Sequence, residues 1–119
     1  MSRADALELV PRALFASRLA ALLRSGFGAG LPRRRRDRWI LLYTLRLLFP
    51  ESQEFDEREV NQRLLAWLAD HGRNLATDHV TLRRALVDEG FLERDRRGRA
   101  YRATREFERR VRFDPAIGA

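Results

Sequence analysis

The stretch "DHVTLRRALVDEGFLERDRRGRAYR", Asp78 to Arg102, decides how this chain folds. Thr77 or Asp78 stands where an N-cap is needed, Leu82 and Leu86 repeat at helical spacing, and Gly90 falls where a helix ends in the left-handed conformation. Beyond Gly90, two short arms flank "DRRG", a turn signal between extended segments. The stretch therefore reads as a helix, a glycine stop and a basic hairpin.

Upstream, "FDEREVNQRLLAWLADHG" at 55–72 places Asp56 as an N-cap with Glu59 three residues on, the pattern of a capping box. Val60, Leu64, Leu65, Trp67 and Leu68 are its expected inward residues, and Gly72 closes the helix. Before it, "RRRRDRWILLYTLRLLF" at 33–49 is apolar around almost its whole circumference, so a helix over 36–49 belongs in a core or a dimer interface. Pro50 ends it.

At the front, "PRALFASRLAALLRSG" carries Leu14, Phe15, Leu19, Leu22 and Leu23 on one stripe, an amphipathic helix over 11–25. "SGFGAGLP" at 25–32 interrupts the period and marks the boundary. The division is thus an N-terminal helix and Gly-rich linker over 1–31 and a longer unit over 32–119. After the hairpin, "TREFERRVRF" offers Thr104 as a cap and Phe107 with Val111 at i,i+4, a short closing helix. The fold class is mainly α with a small β-hairpin, winged helix-turn-helix-like with an extra N-terminal helix.

Composition limits function. The chain has 119 residues, a net charge of +7 and a pI near 11.3, which points first to a polyanionic partner. All of its 24 Lys+Arg residues are arginine, so number is weaker testimony than placement. With no cysteine there is no disulfide framework, thiol nucleophile or cysteine-based zinc site. "MSRADALELV" lacks a leader-like apolar stretch, and "WILLYTLRLLF" at 39–49 is about half a membrane span and carries Arg46. A cytoplasmic protein without a membrane partner is expected. His71 and His79 have no metal-ligand spacing, "GFGAG" lacks the third glycine of a dinucleotide loop, and the absence of lysine excludes a Walker loop. Neither cofactor, metal nor enzymatic activity is expected.

Three segments around the decisive stretch resemble one family. "FDEREVN" at 55–61, "DHVTLRRALVDEGFLERD" at 78–95 and "RGRAY" at 97–101 resemble a bacterial family of uncharacterised domains with the patterns E-V-N, L-R-R-x-L-V-D-x-G and G-x-x-Y. The resemblance covers roughly residues 27–102. It implies a winged-helix-like fold, sometimes attached to transcriptional regulators, and a nucleic-acid role, with no catalytic residue to carry over. "RNLAT" makes the turn before the "LRR" helix longer than that of a standard helix-turn-helix.

A helical projection from Leu82 turns Thr81, Arg84 and Asp88 outward and flanks Arg83 with apolar neighbours. Arg83 is accordingly assigned to structural pairing, with Asp88, Glu89 or Asp95 as its partner. Thr81 and Arg84 are assigned to base edges, where an arginine discriminates guanine by about 1–3 kcal/mol. Arg96, Arg97 and Arg99 on the hairpin are assigned to backbone or minor groove, with Gly98 permitting close approach. Arg33, Arg34, Arg35 and Arg36 either crowd a helix N-terminus beginning near Pro32, a seat for phosphate, or form a basic arm before a helix beginning near Asp37.

The functional expectation is binding of nucleic acid, double-stranded DNA before RNA, in a transcriptional-regulator context. A homodimer would form through the N-terminal helix or helix 36–49. The alternative is a protein-interaction or dimerisation module that uses the winged-helix fold without base readout.

Overall fold

Asp56 shows how the sequence begins a helix. Its backbone is extended, and its carboxylate accepts the Glu59 amide at 2.8 Å while the Glu59 carboxylate accepts the Asp56 amide at 3.0 Å. Two donors that the helix would leave open are satisfied reciprocally. A computed structural model describes residues 7–118 of the chain. Residues 1–6, part of the segment from which the lack of a leader is read, lie outside it. The elements are β1 (Glu8–Val10), α1 (Arg12–Ser25), α2 (Arg35–Arg46), α3 (Glu57–Asp70), α4 (His79–Asp88), β2 (Leu92–Arg94), β3 (Tyr101–Ala103), a 3-10 turn (Glu106–Arg109) and β4 (Val111–Phe113).

The decisive stretch folds as its residues dictate. Asp78 accepts the Thr81 amide at 2.7 Å and starts α4, whose Leu82, Ala85 and Leu86 are buried. Gly90 follows at φ 82°, and the Phe91 amide reaches back to the Leu86 carbonyl. β2 and β3 pair antiparallel with Leu92 opposite Ala103 and Arg94 opposite Tyr101. Phe55 adds an isolated antiparallel bridge to Tyr101, with both backbone bonds formed. The order is thus α2, a one-residue extended contact at Phe55, α3, α4 and the hairpin, with Phe55 and β2 on opposite edges of β3. This is a winged helix-turn-helix-like arrangement.

α2 runs through the middle of it. Trp39, Ile40, Leu41, Leu42 and Leu45 are buried against α1 on one side and α4 on the other. The α-helix stops at Arg46 rather than continuing to Phe49. Leu48 and Phe49 donate to Leu45 and Arg46 in a tighter turn, because the residue before Pro50 disfavours helical geometry. Since the chain's own helices cover α2, it offers little surface to a second copy, and only Leu47 of this segment is well exposed. On α3, Val60, Leu64 and Trp67 face inward, but Leu65 is 49% exposed. Adjacent residues diverge by about 100° on a helix, and α3, unlike α2, is covered on one side, so Leu65 turns off the face on which Leu64 is buried.

The front segment joins the same core. Val10 and Phe15 pack in one cluster with Trp39, Leu64, Leu86 and Phe107, so parts 1–31 and 32–119 share a single interior among the described residues. The connection from α3 to α4 is pinned to this segment. Asn74 Nδ2 donates to the last carbonyls of α1, on Leu23 and Arg24, and Gly30 donates to Ala76. Gly26, at φ 72°, lets this close approach happen, since a Cβ there would sit 2.7 Å from the Asn74 carbonyl oxygen.

At the C-terminal end, the closing helix expected from Thr104 is replaced by the 3-10 turn and β4. Thr104 makes no cap; its amide donates to Phe91 and its carbonyl accepts Arg46 Nε at 2.9 Å. Phe107 stacks on Phe91 with centroids 4.6 Å apart. β4 then pairs in parallel with β1, Glu8 opposite Val111. Among the described residues no helix is long and apolar enough to cross a membrane.

The turn that closes α4 is open to test at Gly90. A side chain there takes on a left-handed φ and meets the Glu106 carboxylate. Gly90→Ala is expected to lower unfolding stability by at least about 1 kcal/mol in urea titrations. Wild-type stability in that variant would contradict the left-handed C-terminus of α4.

Candidate nucleic-acid interface

Several of the described arginines are committed to the fold. Arg18 grips buried Asp37 with two bonds at 3.1 and 3.0 Å, an interaction that holds the Arg18 pKa above its ordinary value. Arg46, itself buried, donates to the Thr104 carbonyl and to Glu51, and lies over the Phe107 ring. The Arg46 guanidinium keeps the Glu51 carboxyl below its usual range. Arg38 and the Trp39 indole both donate to Glu89, at 2.6 and 2.9 Å.

Arg83 belongs to this group, though with other partners than expected. Its Nη1 donates to Asn61 Oδ1 at 2.6 Å and its Nη2 lies 3.9 Å from Glu57 Oε1, both on α3. Asp88 is exposed and makes no hydrogen bond or ion pair from its side chain among the described residues, and Glu89 is taken by α2; neither pairs with Arg83. Tyr101 completes the group by donating its hydroxyl to the same Glu57 oxygen at 3.1 Å. Sequence reasoning overlooked Glu57, Asn61 and Tyr101 in this role. Glu57 and Asn61 of "FDEREVN", Arg83 of "LRR" and Tyr101 of "RGRAY" thus join α3, α4 and β3 to one another.

What projects from this frame is a second set. Arg84 is exposed near the middle of α4. Thr81 is half-buried, its amide bound to Asp78. The Thr81 amide, then its hydroxyl, hold the Asp78 carboxyl below the ordinary aspartate value. On the hairpin, Asp95 accepts the Arg99 amide at 2.8 Å and shapes the turn, with Gly98 at φ 67°. The Arg99 amide is also the main reason that Asp95 lies below its ordinary value. Arg96, Arg97 and Arg99 project outward from this turn and are exposed.

One cleft brings α4 and the hairpin together. It encloses about 270 Å³ and is lined by Arg83, Arg84, Val87 and Asp88 of α4, Arg94 of β2 and Tyr101 of β3. Arg94 is absent from the set expected from sequence. Its position two residues after buried Leu92 is the signal that would have found it, because alternate strand residues share a face.

The arginine run lies on another element. α2 begins at Arg35, between the two starts considered, and its N-cap Arg34 offers no side-chain cap. Arg33, Arg34 and Arg35 are exposed; Arg36 is half-buried, with its Nε enclosed and unbonded. Arg35 lies 5.0 Å over the Trp39 ring and 4.0 Å from Glu8. Asp37, the acid of the first turn, is bonded through both oxygens by Arg18. His79 opens α4 and His71 closes α3 beside Trp67.

Residues 29–103 match the family described as "Uncharacterized protein conserved in bacteria (DUF2087)". The matched span opens at Ala29, in the bridge to Ala76, and closes at the last residue of β3, so it contains α2, α3, α4 and the hairpin. No match was found among curated proteins or solved structures.

The two kinds of arginine are separable by stability. Asn61→Ala removes the acceptor from a mostly enclosed guanidinium and is expected to cost about 1–2 kcal/mol, whereas Arg84→Ala stays within about 0.5 kcal/mol of wild type. Equal losses in urea unfolding would contradict the division. Asp78 and Asp95 predict a pH effect of definite sign. Folded-state values lowered from 3.8 stabilise the fold above that pH, and this contribution disappears as pH falls through the lowered values. Asp78→Asn with Asp95→Asn should flatten the acid limb of a stability–pH curve while leaving its slope near neutrality unchanged.

Proposed function

The chain belongs to this family of conserved bacterial domains, and we propose that it binds double-stranded DNA in the cytoplasm, as part of transcription regulation, with α4 toward the major groove and the β2–β3 hairpin along the backbone. One observation carries the reading. Among the described residues Arg12, Arg24, Arg33, Arg34, Arg36, Arg58 and Arg112 are also without a side-chain hydrogen bond or ion pair, but Arg84, Arg94, Arg96, Arg97 and Arg99 are five such arginines gathered on α4 and the hairpin, two of them lining one cleft. Gathering like charges on neighbouring elements opposes folding, and a polyanion offsets that repulsion.

The charge also has a direction. Beside the hairpin Glu54 holds Arg102 at 2.5 Å, and Glu54, Glu93 and Asp95 line a second depression with Arg94 and Arg102. Three carboxylates against two arginines make that hollow a poorer seat for a phosphate backbone than the cleft of Arg83, Arg84 and Arg94, where Asp88 is the one acid. The N-terminus of α3 carries Asp56, Glu57 and Glu59 and satisfies its own amides, so it is a poor anion site. The α4 side and the exposed Arg33, Arg34 and Arg35 before and at the start of α2 remain as basic surfaces, and of these the α4 side has the cleft.

A protein partner is the second reading, favoured by Leu9. This residue of β1 is 70% exposed beside a groove that includes Pro11, Phe113 and Pro115.

Binding to labelled duplexes, followed by selection of genomic fragments at roughly 0.2 M salt, tests the proposal. Arg96, Arg97 and Arg99 changed together to alanine should weaken duplex binding and lower the salt slope by about one for each phosphate that is no longer neutralised. Single-stranded RNA should compete poorly. Failure to bind any duplex at low salt, together with a concentration-dependent dimer that Leu9→Glu abolishes, would replace this reading with the second.

A further inference from the structure

The cleft between α4 and the hairpin has a fixed back and an open rim. At the back, Tyr101 and Arg83 are held by Glu57 and Asn61. At the rim, Arg84 comes from α4 and Arg94 from β2, and neither guanidinium meets a carboxylate. Asp88 lines the same cleft and pairs with neither. Three guanidinium groups therefore share one cavity with a single carboxylate, in a protein whose other acids are mostly engaged.

We propose that this cleft is a phosphate seat, in which one phosphate group is bonded by both Arg84 and Arg94 with Arg83 behind it. A tetrahedral phosphate presents oxygens to several forks at once, whereas a carboxylate is filled by one bidentate arginine. Val87, the apolar member of the lining, suits the carbon face of a sugar attached to that phosphate. The source of the phosphate rests on the DNA reading, in which it belongs to the duplex backbone; a free phosphorylated small molecule has the same chemistry. The seat moves Arg84 from a base edge to the backbone. Base readout then falls to the N-terminal half of α4 around Thr81, the part of a recognition helix that enters the groove most deeply.

The test uses the full chain and follows arginine Nε–Hε resonances by NMR during two separate titrations, with inorganic phosphate and with a short duplex. Arg84 and Arg94 should move together and saturate at one ligand concentration. Arg84→Gln should abolish the Arg94 shift, and Arg84→Lys, which keeps the charge without the fork, should raise the midpoint. Unchanged circular dichroism shows that these exposed variants fold. In duplex binding, Arg84→Gln and Arg94→Gln should each lower the salt slope by about 0.9, and the double variant should lower it no further, because both act on one phosphate. A double loss of about 1.8, independent midpoints, or no shift with either ligand overturns the seat. Duplex binding that neither variant changes overturns the seat and leaves the DNA reading standing. Joint shifts with phosphate in a chain that binds no duplex uphold the seat and overturn the DNA reading.

Discussion

The placement of α4 depends on one carboxylate. Glu89, just past the last turn of the helix, accepts Arg38 Nε and the Trp39 indole N–H from α2, while its own carbonyl accepts Arg110. Trp39 is buried, so its N–H needs an acceptor inside the protein, and Glu89 is the group within reach. The same residue therefore satisfies a donor in the core, neutralises a neighbouring cation and fixes the C-terminal end of α4. Asp78 fixes the other end through the Thr81 amide. A helix anchored at both ends presents its free face in one orientation.

Lateral position comes from α3. Asn61 and Glu57 reach Arg83, and Glu57 also receives the Tyr101 hydroxyl, so α3 fixes α4 and β3 with two side chains on adjacent turns. These are charge-assisted contacts in a half-enclosed setting, where leaving a partner unpaired costs more than the bond adds. They account for the spacing of Glu57 and Asn61, which share a helical face at i,i+4, and for the neighbouring residues Arg83 and Arg84 having opposite fates. One faces α3 and is spent on structure. The other faces outward across the cleft from Arg94.

Local rules made much of this legible. The capping box at Asp56, the Asp78 cap, the glycine stop at Gly90 and the hairpin around Gly98 are each decided within four or five residues, and the structure has all of them. Pairings across the chain were not legible. β1 and β4 are three residues each, too short to show a period, and they meet only because Glu8 finds Val111 at the far end of the sequence. The Phe107 and Val111 spacing imitated a helix, although Phe107 is fixed by stacking on Phe91 and Val111 by its strand. For Arg83, the projection correctly turned it inward but could not supply Asn61, which lies on another helix. Arg94 was legible by strand alternation from Leu92, yet at the hairpin it counted only as charge.

In a chain whose basic residues are all arginine, pairing carries more information than number. Many of the ion pairs lie on the surface, such as Arg102 with Glu54 and Arg105 with Glu108, where each contributes from nothing to about 1 kcal/mol. Their larger effect is on the field: they cancel charge locally over much of the molecule. The hairpin tip and the outer face of α4 are among the places that escape that cancellation, as are Arg33 and Arg34 before α2. Asp95, the acid best placed to neutralise the tip, turns instead toward the Arg99 and Ala100 amides and shapes the turn. Its use as backbone scaffold leaves Arg96, Arg97 and Arg99 uncompensated on a well-defined loop. The net charge of +7 is thus unevenly distributed, and part of its uncancelled share lies where α4 and a shaped turn flank one cleft.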